Sequence, residues 1–224
     1  MSTFDWPATL VPRNIQIQPP RRTQGLTTSL TDFVQVIPAI RPPFTVSLEF
    51  DQLEGDDVLA WRAMEALLEG RANTARLPLW DMWYAAKNAQ LGAGIVPHSD
   101  GSYFSDGAGY LTTDLDGVLV SGVQGQRTIT ADFGAYGELL QAGLYFGIGD
   151  EPYIASGVTW EGTVARIRCS PTLRRDYTNA ALKLRPTMIG KLTNDDGMAL
   201  KLTNLRYGSP SVTFVEDFAE GLFA

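Results

Sequence analysis

The segment from Phe44 to Phe50 alternates strictly between apolar and polar residues, and no other feature of the sequence constrains the fold as much. Successive side chains of a β-strand point to opposite faces of its sheet. Phe44, Val46, Leu48 and Phe50 would therefore share one face, and this pattern is typical of an antiparallel sheet that covers a core. We predict a strand here, with these four side chains in the core of its domain.

Many similar short apolar segments occur along the chain, which contains 22 glycines and 13 prolines in all. Glycine and proline favour tight turns over long helices, so this composition indicates short strands. From about residue 92 the composition changes to Gly, Ser, Asp and Tyr, which marks a boundary between segments. The fold class that we predict is mainly β, with a small β-barrel or meander inserted between two parts of a β-sandwich-like domain.

One short α-helix is predicted, from Val58 to Leu68. Asp56 and Asp57 suit its N-cap and first turn, and Gly70 suits its C-terminal stop. Apolar residues recur at helical spacing within it and indicate a helix that packs on the core. These residues are Leu59, Ala63, Ala66 and Leu67, with Trp61, Met64 and Leu68 beside them.

The net charge of -7 disfavours direct nucleic-acid binding, because the chain has no extended basic surface to hold phosphates. Its basic clusters, Arg21-Arg22, Arg166 to Arg168 and Arg174-Arg175, are short. No segment approaches the roughly 18 uninterrupted apolar residues of a membrane span. Met1 to Pro7 lacks the pattern of a signal peptide, so we expect a chain made in the cytoplasm without membrane insertion.

The chain has one cysteine and one histidine, and this limits the chemistry of any site. A lone Cys169 excludes an intrachain disulfide and a zinc site of paired thiolates. The alternation from Val164 to Cys169 predicts that this thiol is buried in a strand. The single histidine, His98, lies in a loop rich in Gly, Ser and Asp. The sequence offers no second histidine for a metal site and no pattern of partner residues for a catalytic triad.

The carboxylates and glycines form no recognisable catalytic or cofactor motif. The stretch from Asp114 to Gly117 lacks the other ligands of a calcium loop, and turn formation explains Asp100, Asp106 and Asp116. Gly147-Ile148-Gly149 is only a fragment of a dinucleotide fingerprint. We therefore predict no catalytic, cofactor or metal residues and a protein that is not an enzyme. A carboxylate pair for glycoside hydrolysis stays open, because such a pair has no fixed sequence spacing.

Three groups of segments then occur in order along the chain. The first group is Phe44 to Phe50, the helix with Ala60-Trp61-Arg62, and Leu77-Pro-Leu-Trp-Asp81. The second group is Phe104-Ser-Asp-Gly-Ala-Gly-Tyr110, Leu140-Gln-Ala-Gly143, Tyr145-Phe-Gly-Ile-Gly149 and Cys169-Ser-Pro-Thr-Leu-Arg174. The third group is Met198-Ala-Leu-Lys-Leu-Thr203, Tyr207-Gly208 and Ser211-Val-Thr-Phe-Val-Glu216. In this order the segments resemble the distal tail proteins of long-tailed bacteriophages and gene transfer agents.

The resemblance implies a ring, usually a hexamer, between the tail tube and the tail tip or baseplate of a virion. Residues 1–97 and 186–224 would form the ring domain, and residues 98–185 the inserted small barrel that faces outward. The implied partners are further copies of the chain, the tail tube protein and the hub or tape-measure protein. DNA would be only a transient cargo of the lumen, and the family supplies no catalytic residue. A loop with His98, Tyr103, Phe104 and Tyr110 is the candidate outward contact.

Elementary physics favours the same assembly. A ring of β-domains covers edge strands across subunit boundaries, and an acidic lumen would let DNA pass without binding. Three alternatives stay open: another tail component such as the tube, a terminator or a hub piece; a carbohydrate-binding or host-adhesion module; and a hydrolase of cell-wall polymer. In the second, Trp160, Tyr153 and Tyr145 would stack on sugar, although aromatics of alternating strands are usually core residues.

Overall fold

A computed structural model describes residues 1–20, 42–80, 102, 115 and 117–218, together with the backbone of strands at 23–28, 34–38, 95–96 and 110–111. In this part of the chain the fold is mainly β with one α-helix, as predicted. The elements are β1 (Thr3–Asp5), β2 (Asn14–Gln18), β3 (Thr23–Thr28), β4 (Val34–Pro38), β5 (Thr45–Glu49), α1 (Asp56–Leu68), β6 (Thr74–Pro78), β7 (Ile95–Val96), β8 (Tyr110–Leu111), β9 (Leu119–Gly122), β10 (Thr128–Asp132), a 3-10 turn (Gly134–Tyr136), β11 (Tyr145–Ile148), β12 (Glu151–Glu161), β13 (Val164–Ser170), β14 (Tyr177–Lys183), β15 (Thr187–Leu192) and β16 (Ser211–Glu216).

The chain divides into two compact units, one of residues 1–78 and 188–224 and one of residues 79–187. The sequence placed the inserted segment at 98–185, so the observed division lies earlier at its first boundary. A backbone contact explains the early start: the N–H of Leu79 donates to the carbonyl oxygen of Pro186 over 2.9 Å. This bond holds the two ends of the inserted unit side by side, before the composition of the chain changes.

The first unit contains a six-stranded sheet in the order β1-β6-β15-β16-β5-β2. β5 pairs antiparallel with β16 and β2, and Val46 faces Phe214 while Leu48 faces Val212. The alternating side chains Phe44, Val46, Leu48 and Phe50 are all buried, as the alternation predicts. Elsewhere in the described part of the chain, β3 and β4 form a separate two-stranded sheet, as do β7 and β8.

Helix α1 packs on the buried face of this sheet through a cluster of four aromatic rings. Trp61 lies edge-on to Phe50 at 5.1 Å and to Trp6 at 6.1 Å, measured between ring centroids, and Trp6 contacts Phe214 at 5.7 Å. The indole N–H of Trp61 donates to the carbonyl oxygen of Met198 over 2.8 Å, so its polar atom is satisfied inside the core. The helix ends where Glu69 and Gly70 turn into the left-handed conformation.

The sequence assigned the stripe of Leu59, Ala63, Ala66 and Leu67 to the core, and all four residues are exposed. Leu59 is 60% exposed and Leu67 is 44% exposed, whereas the buried residues of the helix are Val58, Trp61, Met64 and Leu68. The helix is apolar on two faces, so its periodicity could not select the buried one. The position of Trp61 in the aromatic cluster fixes the rotation of the helix and turns Leu59 and Leu67 outward.

The second unit contains a closed six-stranded barrel in the order β10-β13-β12-β11-β14-β9, which confirms the predicted small barrel. The long strand β12 pairs with both β11 and β13, and a bulge lies between Ala155 and Gly157. Ala165, Ile167 and Cys169 of β13 point into the core, so the buried cysteine predicted from the alternation is confirmed. Because the sheet closes, this unit has no free strand edge within the barrel.

The rotation of α1 gives the first testable prediction. We expect Trp61→Ala to lower the free energy of unfolding by about 3–5 kcal/mol, because it removes the central ring of the aromatic cluster. The control, Leu59→Ala on the exposed face, should change it by less than about 0.5 kcal/mol. Urea unfolding followed by circular dichroism measures both values, and equal losses for the two variants would contradict the observed rotation.

Candidate interaction surface

The outward face of α1 is an apolar stripe. It consists of Leu59, Ala63, Ala66 and Leu67, which all are exposed, and we call it the outer stripe. These residues recur at intervals of three and four, so they line up along one side of the helix. Leucines in such a line are not the scattered apolar residues of an ordinary surface, and they are typical of a face that packs against another surface.

A tight turn beside the helix presents a further exposed leucine. The N–H of Arg206 donates to the carbonyl oxygen of Thr203 over 3.2 Å, and that of Thr203 donates to Tyr207 over 2.6 Å. Asn204 and Leu205, at the tip, have φ angles of 51° and 60°. We call residues 203–207 the Leu205 turn, because the side chain of Leu205 is 89% exposed at its tip.

The backbone conformation of Leu205 is strained, and burial of its side chain within the first unit does not offset this strain. The left-handed region is tolerated by asparagine but is unfavourable for leucine, at about 1–2 kcal/mol. A residue of this kind usually persists because its position serves a function. The exposed side chain of Leu205 gains no burial that would offset the strain.

A cleft of about 620 Å³ joins the Leu205 turn to the N-terminal half of α1. The helix contributes Val58 and Arg62 to its wall, and the turn contributes Leu205 and Arg206. The remaining lining residues are Glu54, Gly55, Leu202 and Tyr207. The cleft therefore places the turn beside Val58 and Arg62, which are next in sequence to Leu59 and Ala63 of the outer stripe.

This surface has opposite charges at its two ends. Lys201 and Arg206 are exposed at the turn beside Glu54, whereas Glu69, Asp195 and Asp196 are exposed with Arg71 at the C-terminal end of α1, where carboxylates outnumber the cation. The Asp195 carboxylate lies against Gly70, which directly follows the helix. The last turn of α1 has no basic residue, so these carboxylates add to the negative end of the helix dipole.

No ion pair among the described residues neutralises either end. The pairs that do form in the first unit join Arg13 to Asp51, Arg76 to Asp5 and Lys191 to Asp217. The acidic end of α1 is therefore an unfavourable arrangement of charges in the isolated chain, and a cation from outside would stabilise it.

The two edges of the first sheet differ. β1 is a three-residue strand that pairs parallel with β6, and the exposed Asp5 carboxylate binds Arg76 at 2.7 Å. Short charged edges resist pairing with other chains. β2 is longer, and Ile15 and Ile17, which face Leu48 and Val46, are only half-buried.

The densest polar cluster of the described residues lies in the barrel unit. The Glu151 carboxylate accepts hydrogen bonds from the hydroxyls of Tyr153 and Tyr177, and Arg175 binds it at 2.9 Å. The two hydroxyls are 2.8 Å apart, and the backbone N–H of Arg174 donates to Tyr153 over 3.2 Å. Burial raises the pKa of both tyrosines, with the nearby Glu151 charge acting in the same direction. The cluster ties β12 to β14 across the barrel, so its residues have a structural role.

The proposed sugar platform does not assemble. Tyr153 is fully buried, where it stacks on Phe146, so it cannot present a face to a ligand. Trp160 is half-buried and lies edge-on to Phe133 at 5.1 Å, and Tyr145 is also half-buried. Tyr153 belongs to the barrel core and Trp160 packs against it, which is the position that the alternation of their strands favours.

The predicted outward contact loop lies outside the described residues. His98, Tyr103 and Phe104 are not described, and Tyr110 is described only as backbone of β8. The turn-forming carboxylates at 100, 106, 114 and 116 also lie outside this part of the chain. Among the residues that are described, no group of three or more His, Cys, Asp or Glu side chains could hold a metal ion. None of the helices described there is long and apolar enough to cross a membrane.

Sequence reasoning missed the Leu205 turn, because a leucine near an alternating segment is ordinarily a core residue. The available signal was Asn204, since asparagine tolerates the left-handed conformation that tight turns use. The helical spacing of apolar residues predicted the outer stripe but assigned it to the core. No protein-family model matches this chain, and a search of curated proteins finds no significant match.

The buried acids of the barrel predict a pH dependence of its stability. The pKa of Cys169 is raised to about 12 by burial, and the pKa values of Tyr153 and Tyr177 are raised as well. The unfolded chain therefore releases protons above about pH 9 that the folded barrel retains, and stability is lost as the pH rises. We expect a loss of about 1.4 kcal/mol per pH unit for each group that titrates only when unfolded.

Urea unfolding at pH 7, 9 and 10.5 measures this dependence. Cys169→Ala removes one of the three groups, so its stability should fall less steeply between pH 9 and 10.5 than that of the unchanged chain. A stability that is constant from pH 7 to 10.5 would contradict the burial of these protons.

Proposed function

We propose that this protein is a structural subunit of a phage-like tail, which forms a ring between the tail tube and the tail tip or baseplate hub. The observation that carries the proposal is the exposed apolar surface of the first unit, formed by the outer stripe and the Leu205 turn. Such a surface is unfavourable in water, and packing against a neighbouring subunit removes it from solvent.

The architecture supports the proposal. The resemblance to distal tail proteins implies a β-sandwich-like ring domain with a small barrel inserted in its sequence; the first unit has one six-stranded sheet covered by a helix instead of a sandwich, and the closed barrel is inserted as implied. The strands of the barrel form a closed hydrogen-bonded sheet, whereas the six-stranded sheet is open and ends in β1 and β2. The first unit therefore has the surfaces that subunit contacts would use, and we assign ring formation to it.

The partners under this proposal are further copies of the chain, the tail tube protein and the hub or tape-measure protein. The ring would act in the virion tail, and DNA would pass through its lumen without a binding site. The net charge of -7 supports passage, because an acidic wall repels the phosphates of DNA. The proposal assigns no catalytic residue and no cofactor.

Light scattering and electron microscopy of the purified chain test the proposal. At micromolar concentration we expect a closed cyclic oligomer that is seen as a ring with a central hole, because association covers the outer stripe and the Leu205 turn. A clean monomer at these concentrations would contradict the proposal. Turnover of peptidoglycan or capsule by the same sample, lost when an acidic pair is changed, would replace it with a hydrolase.

A further inference from the structure

We infer that the Leu205 turn of one copy docks on the C-terminal end of α1 of the next copy. In this contact Leu205 packs beside Leu67, while Lys201 and Arg206 face the carboxylates of Glu69, Asp195 and Asp196. The inference rests on the proposed function, because it names the surfaces through which the subunits of the ring would meet. It commits to a second copy of this chain as the occupant.

The first argument is the shape of the turn. Leu205 has a φ angle of 60° and is 89% exposed, so the chain holds a large apolar side chain outward on strained backbone. A side chain in this position fits a shallow apolar surface on another molecule. At the other end of the outer stripe, Leu67 is exposed and offers such a surface.

The second argument is charge complementarity. The turn carries two cations beside the carboxylate of Glu54, whereas the C-terminal end of α1 carries three carboxylates and one cation, Arg71, and none of these groups takes part in the described ion pairs. Cations near the last turn of a helix are stabilising, whereas anions there are not. Docking of the turn would therefore relieve the charge repulsion at the end of α1 while it buries Leu205 and Leu67.

The third argument is distance. The turn lies beside Val58 and Arg62, whereas the acidic end begins at Glu69. At 1.5 Å per helical residue, Val58 and Glu69 are about 16 Å apart along the axis, beyond the screening length of about 8 Å at physiological salt. One copy cannot bring its own two ends together along a rigid helix. The complement therefore comes from another molecule, and the opposite net charges of the two patches favour a second copy of this chain.

The geometry of the contact is heterologous, because two different patches of the same chain meet. Such a contact leaves one free patch at each end of a pair, so association continues until a ring closes or a filament grows. The outer stripe lies between the two patches and would add apolar area to the same interface. This arrangement gives the proposed ring a direction around its axis.

Two matched glycine variants of the full-length chain test the role of the turn. Leu205→Gly removes the apolar side chain and relieves the backbone strain, so it should weaken association at least about tenfold without loss of folding stability. Asn204→Gly relieves strain at the neighbouring left-handed position but keeps Leu205, so it should associate like the unchanged chain. Equal association of Leu205→Gly and the unchanged chain would overturn the inference.

A charge exchange tests the partner surface. Arg206→Glu and Asp195→Lys should each weaken association, and the chain with both changes should regain at least half of the oligomer fraction, because the charges again pair across the contact. Failure of the double variant to recover, with each single variant folded by circular dichroism, would overturn the pairing. An acidic partner protein other than a second copy would give unchanged self-association in all three variants.

These results are separable from the fate of the proposed function. Rings that form normally in Leu205→Gly would overturn the inference and leave the proposed function in place. Open filaments that dissociate in Leu205→Gly and recover in the charge exchange would support the inference and count against a closed ring. Sedimentation velocity over a concentration series distinguishes rings, filaments and monomers.

Discussion

The packing of Trp61 against Trp6 and Phe50 is the contact on which the first unit depends. It joins α1 to the buried face of the sheet, and its hydrogen bond to the carbonyl oxygen of Met198 also fixes the segment that leads to the Leu205 turn. Because a helix is rigid, the position of one large side chain sets the direction of all the others. The outward position of Leu59 and Leu67 is therefore a consequence of how the core packs.

The two units differ in whether their main sheet leaves strand edges unpaired. The barrel closes on itself, and the buried cluster around Glu151 ties β12 to β14, so its polar backbone groups are paired within one chain. The sheet of the first unit stays open and ends in β1 and β2, and the exposed apolar surface lies in the same unit. The open sheet and the exposed apolar surface support the proposed association of the first unit, whereas the closed barrel needs no neighbour to complete its strand pairing.

Much of the fold could be predicted from local patterns in the sequence. The alternation from Phe44 to Phe50 predicted a buried strand face, and the alternation before Cys169 predicted a buried thiol. Both predictions follow because the alternating apolar residues of a strand that is covered on one face all lie on the covered face. Helix α1 was predicted with acids in its first turn and with its glycine stop, but its N-cap is Gly55 and not an aspartate. Its buried face was not predicted, because Leu59 and Trp61 both belong to apolar stripes and only the tertiary contacts of Trp61 choose between them.

The candidate surface could be predicted only in part. Leu205 is exposed because Asn204 and Leu205 adopt a left-handed turn, and no periodicity indicates such a turn. The acidic end of α1 is formed by Glu69 together with Asp195, which is more than a hundred residues away in the chain, so no local pattern brings these carboxylates together. Surfaces of this kind depend on the folded arrangement and become visible only with it.

In the proposed assembly, neighbouring subunits bury the outer stripe and the Leu205 turn. Hydrogen–deuterium exchange of the full-length chain over a range of concentrations measures this burial directly. We expect amides of peptides covering 59–67 and 203–207 to exchange more slowly as the concentration rises, while strand β12 of the barrel does not change. Exchange that is the same at every concentration in all three segments would contradict the account.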